Sequence, residues 1–247
     1  MRRVLSSVLA LIAFALVALA SKAAEAKTAV IGEPLKLEVP GRGDAYYFKP
    51  RARGAKPILM YLHGRGGNPA EDCRKWARVG TQFGWVVCPS GPEQSESGGR
   101  TWGNGAGYAQ QIIDDTILAL RAKYKGKVQR RGNILIGFSE GAFVAMQVGL
   151  KDQRTWDRWL ILSATDQYWQ QDLKEAFDPQ KRKVRRVYLL TGENDQVAAG
   201  TTRVGDLLKK NKVPVKVKIV PGLGHEVPAD RMISTYRRPL AWLNAAK

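Results

Sequence analysis

Asn133-Ile134-Leu135-Ile136-Gly137-Phe138-Ser139-Glu140-Gly141-Ala142-Phe143-Val144-Ala145-Met146-Gln147-Val148 is the stretch on which the fold turns. Its first four residues are short and mostly β-branched or aliphatic, as suits a strand buried on both faces. Past Gly141, apolar side chains recur at helical spacing: Phe143, Val144, Met146 and Val148. A serine flanked by two glycines at a strand-to-helix junction has the G-x-S-x-G nucleophile-elbow pattern. So tight a turn brings backbone past the serine, and glycine alone lacks the Cβ that would clash. The hydroxyl of Ser139 is then presented in the open, at the positive end of a helix.

Working outward, residues 57–62 read as a buried strand running into His63-Gly64-Arg65-Gly66-Gly67-Asn68-Pro69. A glycine-rich loop between strand and helix can turn N–H groups toward an anion. No Lys-Ser/Thr pair or G-x-G-x-x-G spacing follows, so an oxyanion suits this loop better than a nucleotide. A helix is expected over 69–83 and a strand over 85–87, then a long Gly/Ser-rich loop, 91–107, carrying Trp102 and Asn104. An amphipathic helix follows over 108–124, with Asp114 and Asp115 on its surface. Strands are expected over 35–39, 45–48, 158–164, 186–191 and 215–220. Further helices cover 201–210 and 229–245, the last interrupted at Pro239. Alternating strands and helices predict an α/β fold with a mostly parallel central sheet and helices on both faces.

The 247 residues, 44% of them hydrophobic, suffice for a real core, and no disorder signature is present. Arg2 and Arg3, an apolar run over 4–20 and the small-residue site Ala24-Glu25-Ala26 read as a secretory signal over 1–26, with 20/21 as an alternative cleavage point. Residues 27–247 would then be one domain, secreted or periplasmic. An uncleaved anchor is the competing reading of that segment. Export makes a Cys73–Cys88 disulfide the expectation, against two buried free thiols. The net charge is +18, and removing 1–26 takes away Arg2, Arg3, Lys22 and Glu25 and leaves +16. Such a surface draws an anionic polymer or a membrane surface. The basic residues are scattered, densest at Lys181-Arg182-Lys183 with Arg185-Arg186, and no aromatic-basic alternation suggests base stacking. A specific nucleic-acid partner is not expected.

A serine hydroxyl needs a base, and the base needs an orienting carboxylate. The sequence holds two histidines. His63 is committed to the glycine-rich loop, whereas His225, in Gly222-Leu223-Gly224-His225, follows the last strand. Asp195, in Thr191-Gly192-Glu193-Asn194-Asp195, follows another strand, with Glu193 and Asp166 as rivals. Ser139, Asp195, His225 is the chain order of the α/β-hydrolases. With these stretches the sequence resembles an exported α/β-hydrolase, in the style of the small phospholipase/carboxylesterase and polyhydroxybutyrate-depolymerase-like esterases. The resemblance spans residues 58–228. It implies an ester hydrolase with oxyanion donors at the backbone N–H groups of Arg65 and Glu140 and with no metal or other cofactor. Glu140 departs from the glutamine or methionine of many relatives. An acid there would repel anionic substrates unless it points away or pairs with Arg65. Trp102, Tyr168 and Trp169, with Phe177, are candidates for an aromatic wall around a small or polymeric ester; packing of the insertion over 165–183 is the competing reading. Two alternatives stay open: a peptidase or other acyl transferase on the same residues, and a catalytically silent fold that binds anionic cell-envelope polymer.

Overall fold

The computed structural model describes residues 31–168, 177–178 and 182–246. The expected leader, Trp169 and the side chain of Tyr168 lie outside the described residues. Residues 58–62 alternate between two sides. Ile58, Met60 and Leu62 enter one apolar cluster, and Leu59 and Tyr61 enter another, so this strand is buried on both faces. It is β3 (Ile58–Leu62), near the middle of an eight-stranded sheet.

In chain order the strands are β1 (Leu35–Leu37), β2 (Ala45–Phe48), β3, β4 (Trp85–Pro89), β5 (Glu93–Gln94), β6 (Arg100–Thr101), β7 (Ile134–Phe138), β8 (Arg158–Leu162), β9 (Arg186–Gly192) and β10 (Val215–Val220). The large sheet runs β1-β2-β4-β3-β7-β8-β9-β10, and β2 runs opposite to the other seven strands. From β4 to β10 every pairing is parallel. Among the described residues the α-helices are α1 (Pro69–Gly80), α2 (Ala106–Lys123), α3 (Glu140–Lys151), α4 (Ala198–Lys210) and α5 (Met232–Asn244). α2, α3 and α4 bury Ile112, Ile113, Val144, Met146, Val204 and Leu208 on one face. α1 and α5 bury Trp76, Val79, Met232, Tyr236 and Leu240 on the other. This is the α/β-hydrolase arrangement that the sequence predicts.

Three local expectations are corrected. The loop over 91–107 is not structureless: β5 and β6 form a short hairpin, and Arg100 bridges to Gly67. Pro239 does not interrupt the last helix, which continues through it. The burial of Tyr236, Leu240 and Leu243 offsets the roughly 3 kcal/mol that an interior proline costs. Cys73 and Cys88 are buried free thiols, not a disulfide. The Cys73 thiol donates to the Tyr46 carbonyl at 3.3 Å, and both sulfurs pack as small apolar groups between α1 and the sheet. Burial, reinforced by Cys73 beside it, pushes the Cys88 thiol up.

Candidate active site

The elbow forms because β7 ends where α3 begins, with one residue, Ser139, between them. Ser139 has φ 54° and ψ −118°, a strained conformation for a side chain-bearing residue. A Cβ on Gly137 would lie 2.2 Å from the Gly141 carbonyl oxygen. One on Gly141 would lie 2.1 Å from that of Leu62. Neither position accepts another residue without moving backbone.

Three loops at the C-terminal ends of parallel strands converge on this turn. His225 Nε2 lies 2.8 Å from Ser139 Oγ, and its Nδ1 lies 2.9 Å from Asp195 Oδ2. Asp195 is buried, and its carboxylate also accepts from Ser163 Oγ (2.6 Å), Thr191 Oγ1 (3.0 Å) and the Val197 N–H (3.0 Å). Burial alone would raise this carboxyl. The hydrogen bonds from Ser163, Val197 and His225 outweigh it and hold Asp195 below the usual carboxylate range. The loops carrying Asp195 and His225 are laced together, Asn194 N–H donating to the Leu223 carbonyl at 2.9 Å. The rival acids are spoken for elsewhere. Glu193 accepts from the Gly222 N–H, and Asp166 holds Arg203 in a two-pronged ion pair at 2.7 and 2.8 Å.

On the opposite side of Ser139 stands the glycine-rich arm. Among the described residues, the N–H groups of Arg65 and Glu140 donate no hydrogen bond outside the helix and strand ladders. His63, the other histidine, is buried, stacked on Trp102 with ring centroids 5.1 Å apart. Its Nδ1 meets the Gly64 carbonyl (2.8 Å), and its Nε2 accepts the Gly91 N–H (3.0 Å). That pairing fixes a neutral ring with the proton on Nδ1. Burial lowers its pKa below the ordinary value.

The Glu140 side chain lines the same cavity as Ser139 and is held by the 91–107 loop. It accepts from Thr101 Oγ1 (2.8 Å), the Trp102 N–H (3.1 Å) and the Asn104 N–H (3.3 Å), with Arg65 at 3.4 Å. Of the two alternatives that the sequence sets for this acid, the contact with Arg65 is present.

A cavity of about 540 Å³ opens beside Ser139 and His225. Phe143, Met146 and Val197 give it an apolar wall, and Asn104, Thr165, Gln167 and Arg203 give it polar ones. Trp102 does not line it. The indole is fully buried and donates Nε1–H to the His63 carbonyl at 3.0 Å, so it braces the arm and offers no wall to a substrate. Phe177 is buried against Trp159, at 6.2 Å between rings. Sequence reasoning missed Ser163, Thr191 and Thr101, whose partners Asp195, Asp195 and Glu140 lie 32, 4 and 39 residues away. No cluster of three or more His, Cys, Asp or Glu able to hold a metal ion is present among the described residues.

The family model described as Phospholipase/Carboxylesterase matches residues 49–237. Solved structures with the same fold include the carboxylesterase of Bacillus cereus (17% identity, TM-score 0.60, covering 82% of this chain and 94% of that one). Esterase PE8 (20%, 0.62, 86% and 100%) and an S-formylglutathione hydrolase from Agrobacterium tumefaciens (13%, 0.64, 87% and 96%) are similar in the same way. At these identities the likeness speaks for the fold. A comparison with curated protein sequences gives no match.

Proposed function

The chain belongs to the phospholipase/carboxylesterase family of α/β-hydrolases, and on that premise we propose that it cleaves carboxylic esters through Ser139, His225 and Asp195, by way of an acyl-enzyme. The observation that carries this reading is the continuous hydrogen-bonded line from Asp195 through His225 to Ser139 Oγ, 2.9 and 2.8 Å long. Ser139 Oγ attacks the ester carbonyl while His225 Nε2 takes its proton. Asp195 keeps the other imidazole proton on Nδ1 and stabilises the imidazolium as it forms. The N–H groups of Arg65 and Glu140 receive the developing oxyanion, each contributing about 3 kcal/mol of barrier lowering when well aimed. His225 then protonates the departing alkoxide. Water, activated by the same imidazole, releases the acid and restores the serine.

The open, half-polar cavity suits a short or hydroxylated ester better than a long aliphatic one. Residues 1–26 are proposed to export the chain, on the charged start, apolar run and small-residue site of the sequence. The test is turnover of short aryl esters, followed as released acid and phenol in equal amounts. Wild type is expected to be active, and Ser139→Ala to lose about 10⁶-fold in kcat. Equal rates in the two would refute the assignment, and cleavage of anilides in preference to esters would point to a peptidase.

A further inference from the structure

The end of the sheet away from Ser139 gathers charge that is dispersed in the sequence. Residues 49–56 and 121–131 lie side by side. Lys56 N–H donates to the Lys127 carbonyl (3.0 Å), Gln129 N–H to the Lys56 carbonyl (2.9 Å), and Gln129 Nε2 to the Ala55 carbonyl (2.9 Å). Together they carry Lys49, Arg51, Arg53, Lys56, Arg121, Lys123, Lys125, Lys127, Arg130 and Arg131. No acidic residue occurs between Asp44 and Glu71, or between Asp115 and Glu140. All ten are exposed except Lys56 and Arg121, which are half-buried. Elsewhere the surface pairs its cations where an acid is in reach, as Arg42 with Asp115 and Arg203 with Asp166. Among the described residues none of these ten forms an ion pair. Burial and then the neighbouring Arg130 charge lower Arg121 below its ordinary pKa. Crowded like charges raise the free energy of the compact state, and a bound polyanion relieves that repulsion while releasing its own counterions.

We propose that this surface docks an acidic polysaccharide. The neighbouring relief supports a sugar. A cavity of about 550 Å³ adjoins the patch, with Lys56 and Arg131 as cations without an acid partner, Gln82 and Gln129 as amides, and the ring of Phe83. Amides and an aromatic edge suit the hydroxyls and apolar face of a pyranose, and the cations suit its carboxylates or sulfates. Asp157, which also lines the cavity, is already paired with Arg158 and Arg185. Nucleic acid fits less well. Tyr124 packs its ring on Trp85 and Tyr47 and lies under Lys49, and so offers no free face to a base. A bilayer also fits less well. Among the described residues the exposed large apolar ones, Leu35, Tyr108, Leu118, Ile219 and Ile233, all lie outside both segments. Arg131 lies just before β7 and Ser139 just after it, so the patch and the nucleophile are separated by a strand length of roughly 17 Å. A docked enzyme would therefore keep its cavity turned outward.

The test titrates the folded protein, at several salt concentrations, with polygalacturonate, a short DNA duplex and phosphatidylglycerol vesicles. Wild type is expected to bind polygalacturonate more tightly than the other two. The fourfold variant Arg53→Glu, Lys125→Glu, Arg130→Glu, Arg131→Glu is expected to weaken that binding about tenfold or more and to flatten its salt dependence by about three charges. A control with the same change in net charge, Lys210→Glu, Lys216→Glu, Arg237→Glu, Arg238→Glu, is expected to weaken it less than about threefold. Melting temperature should match wild type in both, with the Lys/Arg→Gln versions replacing them if it does not. Equal loss in the two sets, tighter binding to DNA or vesicles, or no binding to polygalacturonate at low salt would each overturn the proposal.

Discussion

Two buried carboxylates flank Ser139, and they face different partners. Asp195 faces an imidazole whose far nitrogen reaches the serine hydroxyl. Glu140, next to the nucleophile in sequence, faces a threonine hydroxyl, two backbone N–H groups and a guanidinium. Both are buried; what differs is whether the partner can pass a proton on. Under the proposed mechanism the Asp195 side of the site moves a proton, whereas the Glu140 side holds a shape. That shape is the glycine-rich arm and the β5–β6 hairpin, pinned where an oxyanion would sit.

The widest break between the two sides should come from paired amide substitutions. Asp195→Asn is expected to cost about 10⁴-fold in kcat on a short aryl ester, by favouring the wrong imidazole tautomer. Glu140→Gln turns an NH₂ group toward donors that need an acceptor. It should cost about 10- to 100-fold, with a lowered melting temperature, because buried N–H groups are left poorly paired. Losses of one size in both variants would erase the division.

A smaller effect sharpens the Asp195 side alone. Ser163→Ala removes a 2.6 Å hydrogen bond that helps to hold the carboxyl low. About a tenfold loss in kcat is expected, worth roughly 1.4 kcal/mol, and the acid limb of the pH–rate profile should move to higher pH.

The smallest effect concerns His63, on the rigid side. Its imidazole is neutral and its pKa is lowered by burial, so the unfolded chain binds the proton more tightly than the folded one. Its contribution to stability is full above about 6.5 and declines as pH falls through that value. The melting temperature of wild type should therefore fall between pH 7.5 and 5.5 by more than that of His63→Gln, a difference read by calorimetry. An identical pH dependence in the two would place no proton-linked strain at His63.

How much of this was legible in the sequence follows from how local each signal is. Ser139 could be read because strand, glycines and helix are contiguous and their spacing is dictated by backbone clearance. Asp195 and His225 could be read because a parallel sheet delivers each strand-end loop to one rim. The role of Glu140 was legible only as a condition, since its donors sit in a loop some forty residues upstream. Trp102 escapes the sequence for the same reason: an aromatic in a long loop looks available, whereas its indole N–H donates to the His63 carbonyl. Compartment and count suggest pairing Cys73 with Cys88, yet their thiols sit in an apolar layer where one of them is satisfied by a backbone carbonyl. The basic patch is not legible because its two halves are about seventy residues apart and meet through the ladder at Lys56 and Val128, the Gln129 amide and the Lys49–Tyr124 contact.

The central claim is that Ser139 is nucleophilic because His225 removes its proton, and the rate of covalent capture by a fluorophosphonate reads that step directly. A single adduct mapped by peptide mass to Ser139 is predicted for wild type, forming about 10³-fold or more faster than in His225→Ala. An adduct on another residue, or capture of Ser139 at the wild-type rate without the imidazole, would contradict it.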